Sequence, residues 1–229
     1  MPADKSLEDD IVKALHATPG KALGAGYQAT VSLHETPAGR LVLKQARSQA
    51  GVRLAGLARE HEIYTRLSGI PGIPKTYGML HQSALVLEYI EGDSLRERES
   101  GLRDREAFFE QLLKTIDAMH AAGVAHCDLK RKDNTLVGPG ETPYLVDFGV
   151  ACILGQQDGP IKRWWFRLMR QMDFNAWVKL NFGRNPIELP PAVADRYHPL
   201  WIEKIARWIR IPWQKITLRR ARQKWNRRD

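Results

Sequence analysis

No apolar run in the sequence approaches the roughly 18 residues of a membrane-spanning helix. The first ten residues are acidic rather than a basic stretch leading into an apolar one. A soluble, unexported, cytoplasmic protein is the expectation. Cysteine is nearly missing: Cys127 and Cys152 are the only two, too few for a disulfide framework and without the paired spacing of a zinc site. Two buried thiols in a reducing compartment are expected. Tryptophan is absent from residues 1–160, and acid is scarce after them. The first 160 residues carry 18 Lys and Arg against 21 Asp and Glu, a net −3, whereas residues 161–229 carry 17 against 5, a net +12, with all seven Trp. A basic, aromatic end of this kind suits an anionic partner: membrane lipid, lipopolysaccharide phosphate or, less readily, nucleic acid.

What is present first bounds the architecture. With 229 residues and 43% apolar content, the chain suits one domain of two lobes sharing a cleft. Ser6, then Glu8, Asp9 and Asp10, then apolar Ile11, Val12, Ala14 and Leu15 predict a short capped helix ending before Pro19-Gly20. Strand-like pieces at 22–25, 30–34 and 40–44, punctuated by Gly24, Gly26 and Pro37-Ala38-Gly39, predict an antiparallel meander. Helical spacing runs over 54–67, and further strands fall near 75–80 and 85–89. Beyond Glu91-Gly92 the pattern turns helical, with Phe108, Phe109, Leu112, Leu113, Ile116 and Met119 on one face and Gly123 at the end. Sheet before residue 90 and helices after it make an α+β fold. The expected parts are an antiparallel-sheet N-lobe (1–87), a hinge (88–92) and a helical C-lobe (93–229).

The residues able to carry chemistry lie in the middle of the chain. His126-Cys-Asp128-Leu-Lys130-Arg-Lys-Asp133-Asn134-Thr-Leu136-Val137 is followed by Leu145-Val-Asp147-Phe148-Gly149. Here the sequence resembles the protein-kinase superfamily, in its catalytic loop and its Mg²⁺-binding Asp-Phe-Gly turn. The resemblance implies a two-lobed kinase-like fold, ATP and Mg²⁺, and phosphoryl transfer to a hydroxyl. It casts Asp128 as the group that orients or accepts the hydroxyl proton, Lys130 as a cation on the moving phosphoryl group, and Asn134 and Asp147 as metal ligands. One departure is visible. The amide usually stands five residues after the catalytic Asp, but Asn134 is six after Asp128 and position 133 is an Asp. The Leu136-Val137 pair and the separation of thirteen from Asp147 assign the metal role to Asn134, leaving Asp133 a solvated neighbour.

Upstream, Lys44 ends the strand Leu41-Val-Leu-Lys, and by the resemblance it contacts the α- and β-phosphates and pairs with Glu60, preferred to Glu62 for its offset of seven from Leu67. Leu23-Gly24-Ala-Gly26-Tyr27-Gln-Ala29-Thr-Val31 resembles the glycine-rich loop. Gly24 and Gly26 would approach phosphate, Val31 would cover the adenine, and Ala29 replaces the third glycine. The strand from Leu85 into Gly92 resembles the one leading to a kinase hinge, with Leu87 at the back of the pocket and the backbone of Glu88 and Ile90 at the adenine edge.

Other kinase features are missing. Cys127 stands where many kinases have an Arg that reads a phosphorylated activation loop, no Ala-Pro-Glu-like segment follows Gly149, and 80 residues remain. A reduced C-lobe, no such switch and a reduced peptide platform are expected. In this the chain is similar to minimal bacterial kinases, namely the lipopolysaccharide-core and Kdo kinases and the RIO type. The acceptor is then a protein Ser/Thr, as Lys130 suggests, or a sugar hydroxyl of lipopolysaccharide core; a pseudokinase-like binding module is the reading from another class. Trp-rich helices over 200–209 and 213–228, and Trp164-Trp165 among Lys162, Arg163, Arg167 and Arg170, either lie on an anionic inner-membrane surface or complete the core.

Overall fold

The computed structural model describes residues 20–25, 29–36, 39–46, 51–183 and 188–199. The helix expected at 6–15, Gly26 and the helices expected beyond Leu200 lie outside the described residues. The chain divides into two units, Met1–Asn185 and Pro186–Asp229.

In the first unit, β1 (Lys21–Ala25), β2 (Ala29–Thr36), β3 (Gly39–Ala46), β4 (Thr76–Leu80) and β5 (Ala84–Glu88) form a five-stranded antiparallel sheet in the order β1-β2-β3-β5-β4. Cross-strand register matters here because side chains alternate faces with a period of two. Val31 and Leu85 both pair with Lys44, and Leu87 pairs with Val42, so Val31, Val42, Lys44 and Leu87 share one face. On the other face Leu41 and Val86 pack with Leu43, Tyr77 and Leu80.

The helix α1 (Gly51–Arg66) lies between β3 and β4 in the chain and packs on the Lys44 side of the sheet. Its buried residues Leu57, Glu60, Ile63 and Tyr64 recur at helical spacing, and one of them is a carboxylate. Gly69, at φ +83, lies in the turn that follows.

The chain leaves β5 through residues 88–92. The Ser94 amide and hydroxyl donate to Glu97, capping the single turn α2 (Leu95–Arg98). The Asp104 side chain accepts from the Ala107 amide at 2.9 Å and caps α3 (Arg105–Ala121). Phe108, Phe109, Leu112, Ile116 and Met119 are buried along that helix, and Gly123 at φ +78 follows its end. The long helix α4 (Pro160–Phe182) packs against α3, its Trp177 indole N–H donating to the Phe109 carbonyl at 2.8 Å. One short helix, α5 (Pro191–Ala194), belongs to the second unit.

Sheet is not confined to the residues before 90. Short strands β6 (Asp93–Ser94), β8 (Thr135–Val137) and β9 (Pro143–Leu145) form a second sheet, and β7 (Val124–Ala125) pairs with β10 (Cys152–Ile153). Pieces of two or three residues are too brief for alternation to show in a sequence.

Two glycines give opposite expectations. Gly92 has φ +152, and a Cβ there would overlap the Val137 carbonyl. Gly56 lies exposed within α1 with open space around it. Gly92→Ala should lower unfolding free energy by about 2 kcal/mol or more, whereas Gly56→Ala should raise it by about 0.5–1 kcal/mol. Urea unfolding midpoints of the two variants measure both signs.

Candidate active site

The alternation of β3 turns Lys44 toward α1, where Glu60 sits on the buried stripe one helical turn before Ile63 and Tyr64. Lys44 Nζ donates to Glu60 Oε1 at 2.7 Å and to Asp147 Oδ1 at 2.8 Å. Glu62 is exposed and takes no part. Burial disfavours the Lys44 ammonium, but Glu60 and Asp147 outweigh it and hold its pKa above the ordinary 10.5. Burial pushes the Glu60 carboxyl up, against the pull of Lys44. For Asp147, burial also acts upward, yet Lys44 together with the Gly149 amide keeps its pKa below the ordinary value.

Asp147 has φ +66, a left-handed conformation that Asp tolerates better than most residues. Next to it, Phe148 is buried between Tyr64, edge-on at 5.1 Å, and His126, whose ring lies 4.8 Å away. The helix bearing Glu60 thus packs on the same turn that carries Asp147. His126 is fully buried; its Nε2–H donates to the Val146 carbonyl at 3.0 Å, which leaves Nδ1 to accept from the Asp128 amide at 3.4 Å.

A residue the sequence reading did not single out holds this loop. Asp173 of α4 is 1% exposed. Its Oδ2 accepts from the His126 amide at 2.7 Å and from His120 Nε2 at 3.1 Å, and its Oδ1 accepts from the Cys127 amide at 2.8 Å. Cys127 sits at φ +68, a conformation that costs a non-glycine residue about 1–3 kcal/mol and that the two amide bonds to Asp173 hold in place. A signal was available in the chain: Asp173 is the one acid between Asp158 and Glu188, and it falls on the stripe of Phe166, Met169 and Trp177. Cys127 and Cys152 are half-buried rather than buried: Cys152 opens β10, Cys127 follows β7, and both pack at the side of the Ala125, Phe166 and Met169 cluster. Burial pushes the Cys127 thiol up to about 12, with Asp173 adding to the effect.

The neighbours at 133 and 134 face opposite ways. Asn134 is 3% exposed, and its Nδ2 donates to the Asp128 carbonyl at 3.1 Å and lies 3.5 Å from Asp128 Oδ2. Asp133 instead forms a two-bond pair with Arg96 at 2.7 and 2.9 Å on the surface. The Val146 amide donates to the Asn134 carbonyl at 3.0 Å, which joins the segments bearing Asn134 and Asp147. Lys130 is exposed, and Arg131 Nη1 lies 3.8 Å from Asp128 Oδ2. Because the Asn134 NH₂ group is spent on Asp128, its amide oxygen is left as an acceptor. With the Asp147 carboxylate this makes a hard-oxygen donor set of the kind Mg²⁺ takes. Among the described residues no group of three or more His, Cys, Asp or Glu side chains is placed to hold a metal.

Toward the sheet, Val31 and Leu87 lie on the Lys44 face, and Gly24 pairs with Val31 across β1 and β2. The Glu88 amide donates to the Lys75 carbonyl at 2.9 Å, so Glu88 has no free N–H for a base edge. Ile90 is 7% exposed.

Two outcomes follow from the charges. Asp173→Ala removes the acceptor for three buried donors and should cost about 3–5 kcal/mol of unfolding free energy in urea. The depressed Asp147 pKa contributes stability that is present above the ordinary 3.8 and is lost as pH falls through the folded value. The stability gap between wild type and Asp147→Asn, measured from neutral pH downward, should therefore close in that acid range.

A family model for the protein kinase domain matches residues 18–166. Among similar proteins, CBL-interacting serine/threonine-protein kinase 12 of Arabidopsis thaliana is 30% identical over 155 residues, 61% of this chain and 31% of that protein. CBL-interacting protein kinase 12 of Oryza sativa subsp. japonica is 31% identical over 144 residues, 58% of this chain and 26% of that protein. Mitogen-activated protein kinase kinase 9 of Arabidopsis thaliana is 30% identical over 105 residues, 43% of this chain and 33% of that protein. The chain spans about a third of the length of these relatives or less. With the family model matched over more than half of its residues, and with an antiparallel-sheet part joined to a helical part, the chain belongs to the protein kinase domain family.

Proposed function

We propose that the chain is an ATP-dependent phosphotransferase that moves the γ-phosphate of Mg-ATP to an alcohol, with Ser or Thr of a protein as the acceptor. The observation that carries this reading is the ion-pair cluster of Lys44, Glu60 and Asp147, joined through Val146 to the segment where Asn134 bonds to Asp128. In this reading Lys44 holds the α- and β-phosphates, and Glu60 holds Lys44. Gly24 passes close to phosphate, Val31 and Leu87 enclose the adenine, and the Glu88 carbonyl and the Ile90 backbone meet its edge. Asn134 and Asp147 would hold Mg²⁺, which would supply positive charge against the phosphates. Asp128 takes the hydroxyl proton as the acceptor oxygen attacks the γ-phosphorus, the bond from that phosphorus to the β–γ bridging oxygen breaks and ADP leaves, and Lys130 faces the charge that develops. One ammonium set against two carboxylates leaves the cluster net negative, which favours a cation beside Asp147.

The Ser/Thr acceptor is supported by Lys130, two residues after Asp128, and by the names of the serine/threonine kinases to which the chain is similar. A second reading, a sugar hydroxyl of lipopolysaccharide core in a minimal bacterial kinase, draws on the net +12 of residues 161–229 and on the lack of an Ala-Pro-Glu-like segment after Gly149. Its relatives above are eukaryotic kinases, which favour the protein acceptor. A cytoplasmic location, with peripheral contact to an anionic inner membrane, is part of the proposal.

Labelled ATP supplied with protein extract or with purified core lipid tests the acceptor, since label should enter protein. Label in the lipid alone transfers the proposal to the second reading. Asp128→Asn should lower turnover by about 10²–10⁴-fold. Asn134→Ala should abolish the Mg²⁺-dependent turnover, whereas Asp133→Ala should change turnover by less than about threefold, as expected for an exposed ion pair. A dead Asp133→Ala beside a live Asn134→Ala reverses the metal assignment.

A further inference from the structure

The first turns of α4 have two apolar stripes. One, comprising Phe166, Met169 and Trp177, is buried with Asp173. The other, Ile161, Trp164, Trp165 and Leu168, follows i, i+3, i+4, i+7 spacing on a different side of the same helix. Ile161 is 81% exposed, Trp164 53% and Trp165 45%, and Leu168 alone is partly covered. Gly159, Pro160 and these exposed side chains line an open depression of about 500 Å³. A core has no use for this second stripe, and two neighbouring Trp on water are a large apolar exposure.

Charge indicates what would cover it. No Asp or Glu lies between Asp158 and Asp173, and Asp173 is buried, while Lys162, Arg163, Arg167 and Arg170 fall in the same interval. Lys162 neutralises Asp158 at 2.8 Å, and Arg163 donates to the carbonyls of Asp158 at 2.8 Å and Gln156 at 3.0 Å, tying down the turn before the helix. Arg163, Arg167 and Arg170 form an exposed cationic row at i, i+4, i+7 beside the apolar stripe. Trp at the boundary with Arg alongside is the composition of a helix that lies in a bilayer interface.

We propose that the start of α4, through Ile161, Trp164 and Trp165 with Arg163, Arg167 and Arg170, is a docking surface for an anionic lipid bilayer. An exposed aliphatic tip such as Ile161 suits acyl chains better than nucleic-acid bases, which bind by stacking. The surface does not depend on catalysis or on the residues beyond 200.

The test uses the full chain carrying Ile161→Cys labelled with an environment-sensitive fluorophore. The Cys127 thiol, with a pKa pushed up to about 12, contributes little to labelling, and the unsubstituted chain gives the background. Emission should shift to the blue on vesicles of phosphatidylcholine with phosphatidylglycerol, and should not on phosphatidylcholine alone. Arg167→Glu with Arg170→Glu should weaken that partitioning at least about tenfold, an expectation set by the attraction of each cation to an anionic surface. Thermal unfolding of both variants should match wild type, because every altered side chain is exposed. Sedimentation with vesicles but no shift at position 161 would assign binding elsewhere and overturn the proposal. A label already shielded in buffer, a response to single-stranded RNA in place of vesicles, or no binding at all would do the same. ATP turnover measured in the same samples keeps the two readings apart, since an inactive chain that docks leaves this surface intact.

Discussion

The buried carboxylate of Asp173 is the constraint through which the helical part sets the position of the loop from His126 to Asn134. A charge taken out of water costs several kcal/mol unless its lone pairs are filled, and here three N–H donors fill them. Two of those donors are consecutive backbone amides, a demand that only a tightly turned chain can meet. Cys127 therefore takes its left-handed conformation because the alternative is an unpaired charge in the interior. Asp128 follows at once, its amide bonded to His126, so its placement is inherited from α4 by way of two peptide units. His126 extends the same chain of contacts to Val146 and Phe148, which brings the Asp147 turn under the same control.

The sheet meets that framework through charge as well as packing. Phe148 wedged against Tyr64 sets α1 on the turn, and Lys44 spans from Glu60 to Asp147 across the gap. Glu60 is almost fully buried while Asp147 is half-exposed, so the two ion pairs are not equivalent. Removing Lys44 would strand the Glu60 carboxylate in a dry site. Removing Asp147 would leave Lys44 still paired. Glu60 fixes the lysine, and Asp147 is the partner free to share its carboxylate with another cation.

Much of this was legible in the chain because the relevant periods are long enough to see. β2, β3 and α1 each run for eight residues or more, and their expected bounds lie within three residues of the observed ones. The Lys44 strand, the Glu60 choice over Glu62 and the opposite placements of Asp133 and Asn134 could be read from offsets, since helix and loop geometry convert offsets into directions. The short strands after residue 90 could not, because two residues have no period. Asp173 was hidden for a different reason. A carboxylate on a basic helix reads as a solvated group despite its place on the apolar stripe, and the location of three distant donors, at His120, His126 and Cys127, is what lets it be a buried one. Likewise the Trp of α4 share one composition but not one fate: Trp177 reaches the Phe109 carbonyl in the core, while Trp164 and Trp165 remain on the surface.

The extra residue in the loop between Asp128 and Asn134 shows how such a chain absorbs an insertion without moving the Asn134 amide. Residues Lys132–Asn134 form one tight turn. Lys132 pairs with Glu99 and Asp133 with Arg96, both partners lying on the short segment after β6. The Asp133 pair is exposed and the Lys132 pair part-buried, and pairs at a surface contribute little to stability, so their effect is directional: they draw the added length outward. The contact that fixes Asn134 is the buried bond from its amide to the Asp128 carbonyl, which an outward bulge leaves undisturbed. An insertion placed after Asn134 would instead have shifted the β8–β9 pairing of Thr135 with Leu145, and with it the Asp147 turn. The loop tolerates its added residue because the residue enters on the solvent side of the last buried hydrogen bond.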